Sequence, residues 1–317
     1  MESLKGIHHV TATAGDPQAN VDFYCGILGL RLVKLTVNFD DPNTYHLYYG
    51  DAVGSPGTIL TFFPVGQNFR ATVGAGEVTA VAFGVPKGSL PFWQEHLEKH
   101  SVAVSTVAER WGFTRMELHD PDGLKLELVE DPTPRPFVFW NSGGIPESFA
   151  VRGFFGVTMS VASGADSIRF LTDRIGAKLQ ATVERSALLV IGESERAGFI
   201  EVISLGHRHR GQPGAGAVHH VAWRVANENE QLAWRSKLTE NGVGVTPVRD
   251  RMYFRSIYFR EPGEVLFEIA TDPPGFTVDE PRESLGSKLQ LPDWLECERR
   301  FLQKVLPPLK VPVPADR

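Results

Sequence analysis

Apolar and polar residues alternate from Ile7 to Thr13, the period of a strand with one buried face. The period then changes: Asp16 offers a helix cap, Pro17 fits a first turn, and Val21, Tyr24, Ile27 and Leu28 form a helical stripe that stops at Gly29. Strand character resumes beyond it. The same grammar recurs three times. EVTAVAFGVP precedes a helix from Leu90 to His100 and a strand from Val102 to Ser105. GFFGVTMSVASG precedes a helix from Ala165 to Ile175 and strand character from Ala177 to Val183. AVHHVAWRVA precedes a helix from Asn227 to Asn241 and a strand beginning at Val243. Between each unit and the next, runs rich in Val, Ile, Phe and Tyr, bounded by Gly and Pro, read as antiparallel strands. The pattern predicts an α+β fold of four βαβββ modules.

The second and fourth copies also match at their far ends. DPDGLKLELVEDP, from Asp120, aligns without gaps on EPGEVLFEIATDP, from Glu261, which places Glu127 on Glu268. The Pro- and Gly-rich passage DPTPRPFVFWNSGGIPES, near residues 131–150, reads as a linker. It separates an N-terminal domain, 1–140, from a C-terminal domain, 150–280, with two modules in each. Residues 281–317 form a tail with one short helix around Asp293 to Val305.

Composition narrows the function classes. The 317 residues are 42% apolar and 22% charged, typical of a folded globular chain and long enough for two cores. A net charge of −6 without a basic stretch argues against nucleic acid as a partner. The start, MESLKGIHHV, lacks a basic leader followed by an apolar stretch, and no window approaches the ~20 apolar residues of a membrane span. Two distant cysteines, Cys25 and Cys297, give neither a disulfide framework nor a zinc ribbon and suit a reducing cytoplasm.

Superposing the four module starts shows where ligand chemistry survives. At the position of His9 the second copy has Ala80, the third Gly156 and the fourth His220. At the strand-end position stand Glu127, Glu201 and Glu268, against Thr61 or Phe62 in the first copy. A single His on a strand is more often a hydrogen-bonded core or surface residue than a ligand, but HH pairs at equivalent places in two diverged repeats favour metal. Two His and one Glu form the facial set of a divalent iron or manganese ion with open coordination positions. If sequential modules paired, each half would be one ligand short. Pairing module 1 with 4 assembles His9, His220 and Glu268, and leaves modules 2 and 3 as a second half-barrel pair. Strand parity places His8 and His219 on the opposite face. Glu127 and Glu201, without imidazole neighbours, read as structural remnants.

These residues and strings resemble the vicinal oxygen chelate superfamily, which contains glyoxalase I, bleomycin-resistance proteins and extradiol dioxygenases. GIHHVTATAGDPQANVDFYCGILGLRLVKLTVNFDDPNTYHLYYGD, GSPGTILTFFP, AVHHVAWRV and LFEIATDPPGF are similar to the ring-cleaving dioxygenases that act on hydroquinones, and the likeness runs over nearly the whole chain. It implies Fe(II), or Mn(II), on His9, His220 and Glu268. It also implies a small aromatic substrate with O2, and insertion of oxygen next to a hydroxylated ring carbon. His8, Thr11, His219, Arg251 and Tyr258 match pocket-lining positions, with Tyr258 or a pocket His as proton donor, Arg251 or His219 positioning charge, and His8 and Thr11 as partners for the distal hydroxyl. Arg110 and Glu117 are the second-copy counterparts of Arg251 and Tyr258. Three other readings stay open: a catechol extradiol enzyme, a glyoxalase-like isomerase or thiol transferase, and a non-enzymatic aromatic-binding module. A homo-oligomer also stays open. The i, i+4 pair His96 and His100 reads as a solvated helix face, and GHRHRGQPGAG as a connector or lid. No nucleotide-binding or serine-hydrolase motif is present.

Overall fold

The computed structural model describes residues 3–312 except 194, 196, 207 and 208. Module 1 comprises β1 (Ile7–Ala14), α1 (Pro17–Val21) continued by a π-helical segment (Asp22–Ile27), β2 (Arg31–Asn38), β3 (Asp41–Gly50) and β4 (Ile59–Pro64). Module 2 comprises β5 (Glu77–Val85), α2 (Leu90–Lys99), β6 (Ala108–Arg110), β7 (Phe113–His119) and β8 (Lys125–Glu130). Module 3 has β9 (Phe154–Val161), α3 (Gly164–Phe170) with its own π-helical continuation (Leu171–Ile175), β10 (Lys178–Val183), β11 (Ser186–Ile191) and β12 (Gly198–Ser204). Module 4 has β13 (Val218–Val225), α4 (Glu228–Glu240), β14 (Arg249–Asp250), β15 (Phe254–Arg260) and β16 (Leu266–Pro274). In the tail, a 3-10 turn (Asp293–Glu298) runs into α5 (Arg299–Val305).

Two helices, α1 and α4, begin at side-chain caps. Asp16 accepts from the Ala19 amide at 2.8 Å, and Asn227 accepts from the Glu230 amide at 3.0 Å. The Glu230 carboxylate reaches back to the Ala226 amide at 2.9 Å. Each long helix lays one stripe on its sheet: Leu90, Trp93 and Leu97 in α2, and Gln231, Trp234 and Leu238 in α4.

Two eight-stranded sheets result. One has the order β14-β15-β16-β13-β1-β4-β3-β2 and the other β10-β11-β12-β9-β5-β8-β7-β6. The first joins module 4 to module 1 and the second joins module 3 to module 2, the pairing that the ligand count required. In each, the first strands of two modules meet antiparallel at the centre, β1 with β13 and β5 with β9, and each is flanked by its own module's last strand in parallel. Every residue of β1 is buried. The tail runs along module 1: Leu289 bridges Leu35, and buried Lys34 donates to both Asp279 and Glu280 at 2.5 Å.

Two expected strands are not formed. Of Val102 to Ser105, Val104 bridges Leu118 and the Ser105 amide donates to Glu117, and regular pairing starts only at β6. The stretch from Val243 is likewise without regular pairing until β14 begins, held to Tyr258 through Thr246, whose amide donates to the Tyr258 carbonyl and whose hydroxyl accepts from the Tyr258 amide, each at 3.0 Å. Both segments lie at sheet edges, and Gly242, Gly244 and Pro247 weaken the second. No described helix is long and apolar enough to cross a membrane.

Candidate active site

The centre of the first sheet carries two β-bulges, and each holds an HH pair. Along β1, Ile7 faces Trp223 and His9 faces Ala222, so His8 is the extra residue. Along β13, Thr11 faces His220 and Ala12 faces Val218, so His219 is the extra residue. A bulge breaks the strict alternation of faces and re-aims side chains. The second sheet has the same two bulges at Thr79 and Phe155. The bulges therefore belong to the repeat, and the histidines were placed on, or lost from, a common frame. A side chain at Gly156, the counterpart of His9, would collide with the Phe199 carbonyl.

Glu268 lies on β16 opposite Ala222 of β13 and Tyr258 of β15. Its Oε2 stands 2.9 Å from His220 Nε2 and 3.5 Å from His9 Nε2, and the two Nε2 atoms are 3.4 Å apart. Ligand atoms that hold one ion at right angles and about 2.1 Å stand about 3 Å apart, close to this triangle. All three side chains are buried, Glu268 completely. Glu268 Oε2 has no aligned hydrogen-bond donor among the described residues, while Oε1 accepts from the Ser256 hydroxyl. Burial alone would raise the Glu268 pKa, but the imidazoles of His9 and His220 outweigh it and hold the carboxyl well below the usual range. Burial lowers the pKa of His220, favouring the neutral ring.

The far side of each imidazole is also engaged. His9 Nδ1 lies 2.9 Å from His8 Nδ1, and His220 Nδ1 lies 2.7 Å from His219 Nδ1. When the inner Nδ1 carries the proton and donates to its neighbour, each inner Nε2 presents a lone pair to the triangle. Histidine ligands are usually oriented by such a hydrogen bond. A carboxylate with one orphaned oxygen and two imidazoles, all out of water, fit a divalent cation.

A cavity of about 320 Å³ opens over this triangle. Phe63, Phe254 and Tyr258 supply aromatic wall, and Thr11, His46, Tyr48 and His219 supply polar groups. Arg251 donates from Nη2 to Asp40 at 2.8 Å and from Nε to the Tyr258 hydroxyl at 3.1 Å, which ties the β2–β3 turn to the β14–β15 loop. Burial, with the Glu268 charge beside it, pushes the Tyr258 pKa up, so its hydroxyl keeps its proton. Enclosure by the cavity walls and the neighbouring His220 lower the His219 pKa to about 4.

The structure thus brings together His9, His220 and Glu268, and lines the space beside them with Thr11, His219, Arg251 and Tyr258. It separates two residues that parity alone had treated alike. His219 lines the cavity. His8 is buried behind His9 with its ring 5.2 Å from Phe254, so it does not reach a ligand's distal hydroxyl. Sequence reasoning missed Asp40, His46, Tyr48, Phe63, Phe254 and Ser256. Three of them lie in the string NFDDPNTYHLYYGD that carries the family likeness, but nothing in it showed that β3 lies beside β4 with its residues facing the site.

The remaining candidates are occupied elsewhere. His96 Nε2 lies 2.9 Å from the Ile27 carbonyl, and His100 Nδ1 lies 2.8 Å from the His96 carbonyl. His207 and Arg208 of GHRHRGQPGAG lie outside the described residues. Its later part bridges the 70–75 segment through Arg210, Gln212 and Ala215. In the second sheet Glu127 pairs with Arg115 at 2.7 Å and Glu201 pairs with Arg110, so guanidinium groups stand beside the acids.

Comparison with known proteins agrees with this architecture. Residues 6–128 and 154–278 match the pattern of the Glyoxalase/Bleomycin resistance protein/Dioxygenase superfamily. The chain is 46% identical over 312 residues, 96% of its length, to 97% of a Bacillus subtilis (strain 168) protein that carries the provisional name ring-cleaving dioxygenase MhqO. It is 38% identical over 303 residues, 93% of its length, to 94% of chlorohydroquinone/hydroquinone 1,2-dioxygenase of Sphingobium indicum. A crystal structure of a Bacillus subtilis protein provisionally described as a dioxygenase superposes with a TM-score of 0.92 at 43% identity, covering 98% of this chain and 99% of that one. By its repeat, its two sheets and these matches, the chain belongs to the glyoxalase/bleomycin resistance/dioxygenase superfamily.

Proposed function

We propose that this protein is a metal-dependent dioxygenase that opens the ring of a hydroquinone, substituted or not, at the bond next to a hydroxylated carbon. The observation that carries the reading is the convergence of His9, His220 and Glu268 at the floor of an aromatic-walled cavity. Kinship with an enzyme named for chlorohydroquinone and hydroquinone supports the substrate class. His9, His220 and Glu268 would hold Fe(II), or Mn(II) with the same ligand preferences, which would supply the redox chemistry that lets O2 react with a closed-shell phenol.

The protein's own groups do the rest. Phe63 and Phe254 hold the ring and keep bulk water from the floor. Arg251, fixed by Asp40 and Tyr258, presents positive charge where negative charge develops on oxygen. Tyr258 stays protonated and lies beside His220, with ring centroids 5.7 Å apart, so its hydroxyl serves as the proton donor. His219 is the second cavity group able to move a proton.

The test is oxygen uptake by protein loaded anaerobically with Fe(II), given hydroquinones and catechols in turn. The proposal expects uptake with hydroquinones in the wild type. It expects at least a hundredfold loss in Tyr258→Phe or Arg251→Met, at the scale of a lost acid or electrostatic group. A clear preference for catechols rejects the substrate assignment, and turnover without oxygen consumption rejects the reaction class.

A further inference from the structure

β3, β4 and β1 lie side by side, with Tyr48 opposite Thr61 and Thr61 opposite Thr11. A line of hydrogen bonds crosses them. Tyr48 Oη lies 2.8 Å from His46 Nδ1, His46 Nε2 lies 2.8 Å from Thr61 Oγ1, and Thr61 Oγ1 donates to Thr11 Oγ1 at 2.9 Å.

The direction of this line follows from counting protons. A hydroxyl has one proton to give, and Thr61 gives its proton to Thr11. Thr61 is therefore an acceptor toward His46, so Nε2 carries the ring proton. In a neutral imidazole Nδ1 is then bare, and it accepts from Tyr48. Thr11 receives a donor but finds no acceptor for its own proton among the described residues. It lines the cavity, so that proton is offered to whatever occupies the cavity. Thr11 and Thr61 are fully buried and Tyr48 nearly so. The line thus ends inside the protein and not in bulk water, which suits holding a polarity better than ferrying protons.

We propose that His46 is a positioning residue which, with Tyr48 and Thr61, fixes the Thr11 hydroxyl as a hydrogen-bond donor to an oxygen atom of the bound aromatic ring. This deepens the proposed function and rests on its reading of the cavity as the substrate site. The ligand class it selects is an oxygenated ring that presents a lone pair at Thr11. A ring with only hydrogen or halogen there leaves a buried donor unspent.

The test is anaerobic binding of hydroquinone and of chlorobenzene to protein loaded with Mn(II), in wild type, Thr61→Val, Thr61→Ser and His46→Phe, with metal content measured in each. Thr61→Val removes the donor to Thr11 without changing shape, and Thr61→Ser restores it. The expected result is about tenfold weaker hydroquinone binding in Thr61→Val and His46→Phe, the scale of one hydrogen bond. Thr61→Ser should bind as the wild type does, and chlorobenzene should bind wild type, Thr61→Val and Thr61→Ser alike. Equal weakening of both ligands, or hydroquinone binding unchanged in Thr61→Val, overturns the inference alone. Wild-type protein that holds Mn(II) but binds no hydroquinone overturns the substrate reading and this inference with it.

Discussion

At the residue scale, the division between inner and outer histidines is the main physical result. His9 and His220 turn Nε2 toward Glu268, while His8 and His219 stand at their Nδ1 atoms. A partner of that kind fixes the ring and raises its basicity, and its loss typically costs about 10–100-fold in metal affinity. His219→Phe is therefore expected to weaken Mn(II) binding by that factor while Arg251→Met leaves it within about twofold, checked by anaerobic titration. The candidate histidine ligands were legible because two copies of the repeat kept histidine where the others have Ala80 and Gly156. His46 and Ser256 were not legible. Each is hydrogen-bonded to a residue brought beside it by strand pairing, His46 to Thr61 and Ser256 to Glu268, and no local spacing records that pairing.

At the element scale, strand existence followed the alternation closely, but the bulges did not. A one-residue insertion breaks the alternation of faces, so parity does not place the outer histidines: both are bulge residues, and His219 lines the cavity whereas His8 does not. The edge segments after α2 and α4 also escaped, because their apolar residues pack without forming a ladder. One loop joins the two halves of the molecule. Asp120, in the turn between β7 and β8, accepts from the Asp122 and Leu124 amides at 2.9 and 2.8 Å and from the Tyr24 hydroxyl of module 1 at 3.0 Å. Burial raises its pKa to about 6. A carboxyl raised in the folded state contributes stability that is complete below the unfolded pKa of about 4 and is lost as pH rises through the folded value. Asp120→Asn keeps the acceptor for the two amides and cannot ionise. Urea denaturation at pH 4, 5, 6 and 7 should show the wild type losing stability across this window relative to the variant. A difference independent of pH would count against the assignment.

At the scale of the whole molecule, the first and last modules share a sheet and the middle two share another. The ligand inventory required this, since neither sequential pair holds both histidines and Glu268. The half-and-half division of the chain suggested by the Pro- and Gly-rich passage near 131–150 therefore cuts across the sheets: each sequence half contributes strands to both. Because the site joins distant parts of one chain, a bound ion favours the folded state by mass action, by about 2.7 kcal/mol at a hundredfold excess over its dissociation constant. The direct measurement is anaerobic titration with Fe(II) or Mn(II), following bound metal per chain and the shift in Tm. Wild type should take up one equivalent and gain several degrees, whereas His9→Ala, His220→Ala and Glu268→Gln should each hold far less metal and gain none. Three variants that bind one equivalent as tightly as the wild type would contradict the site on which the account rests.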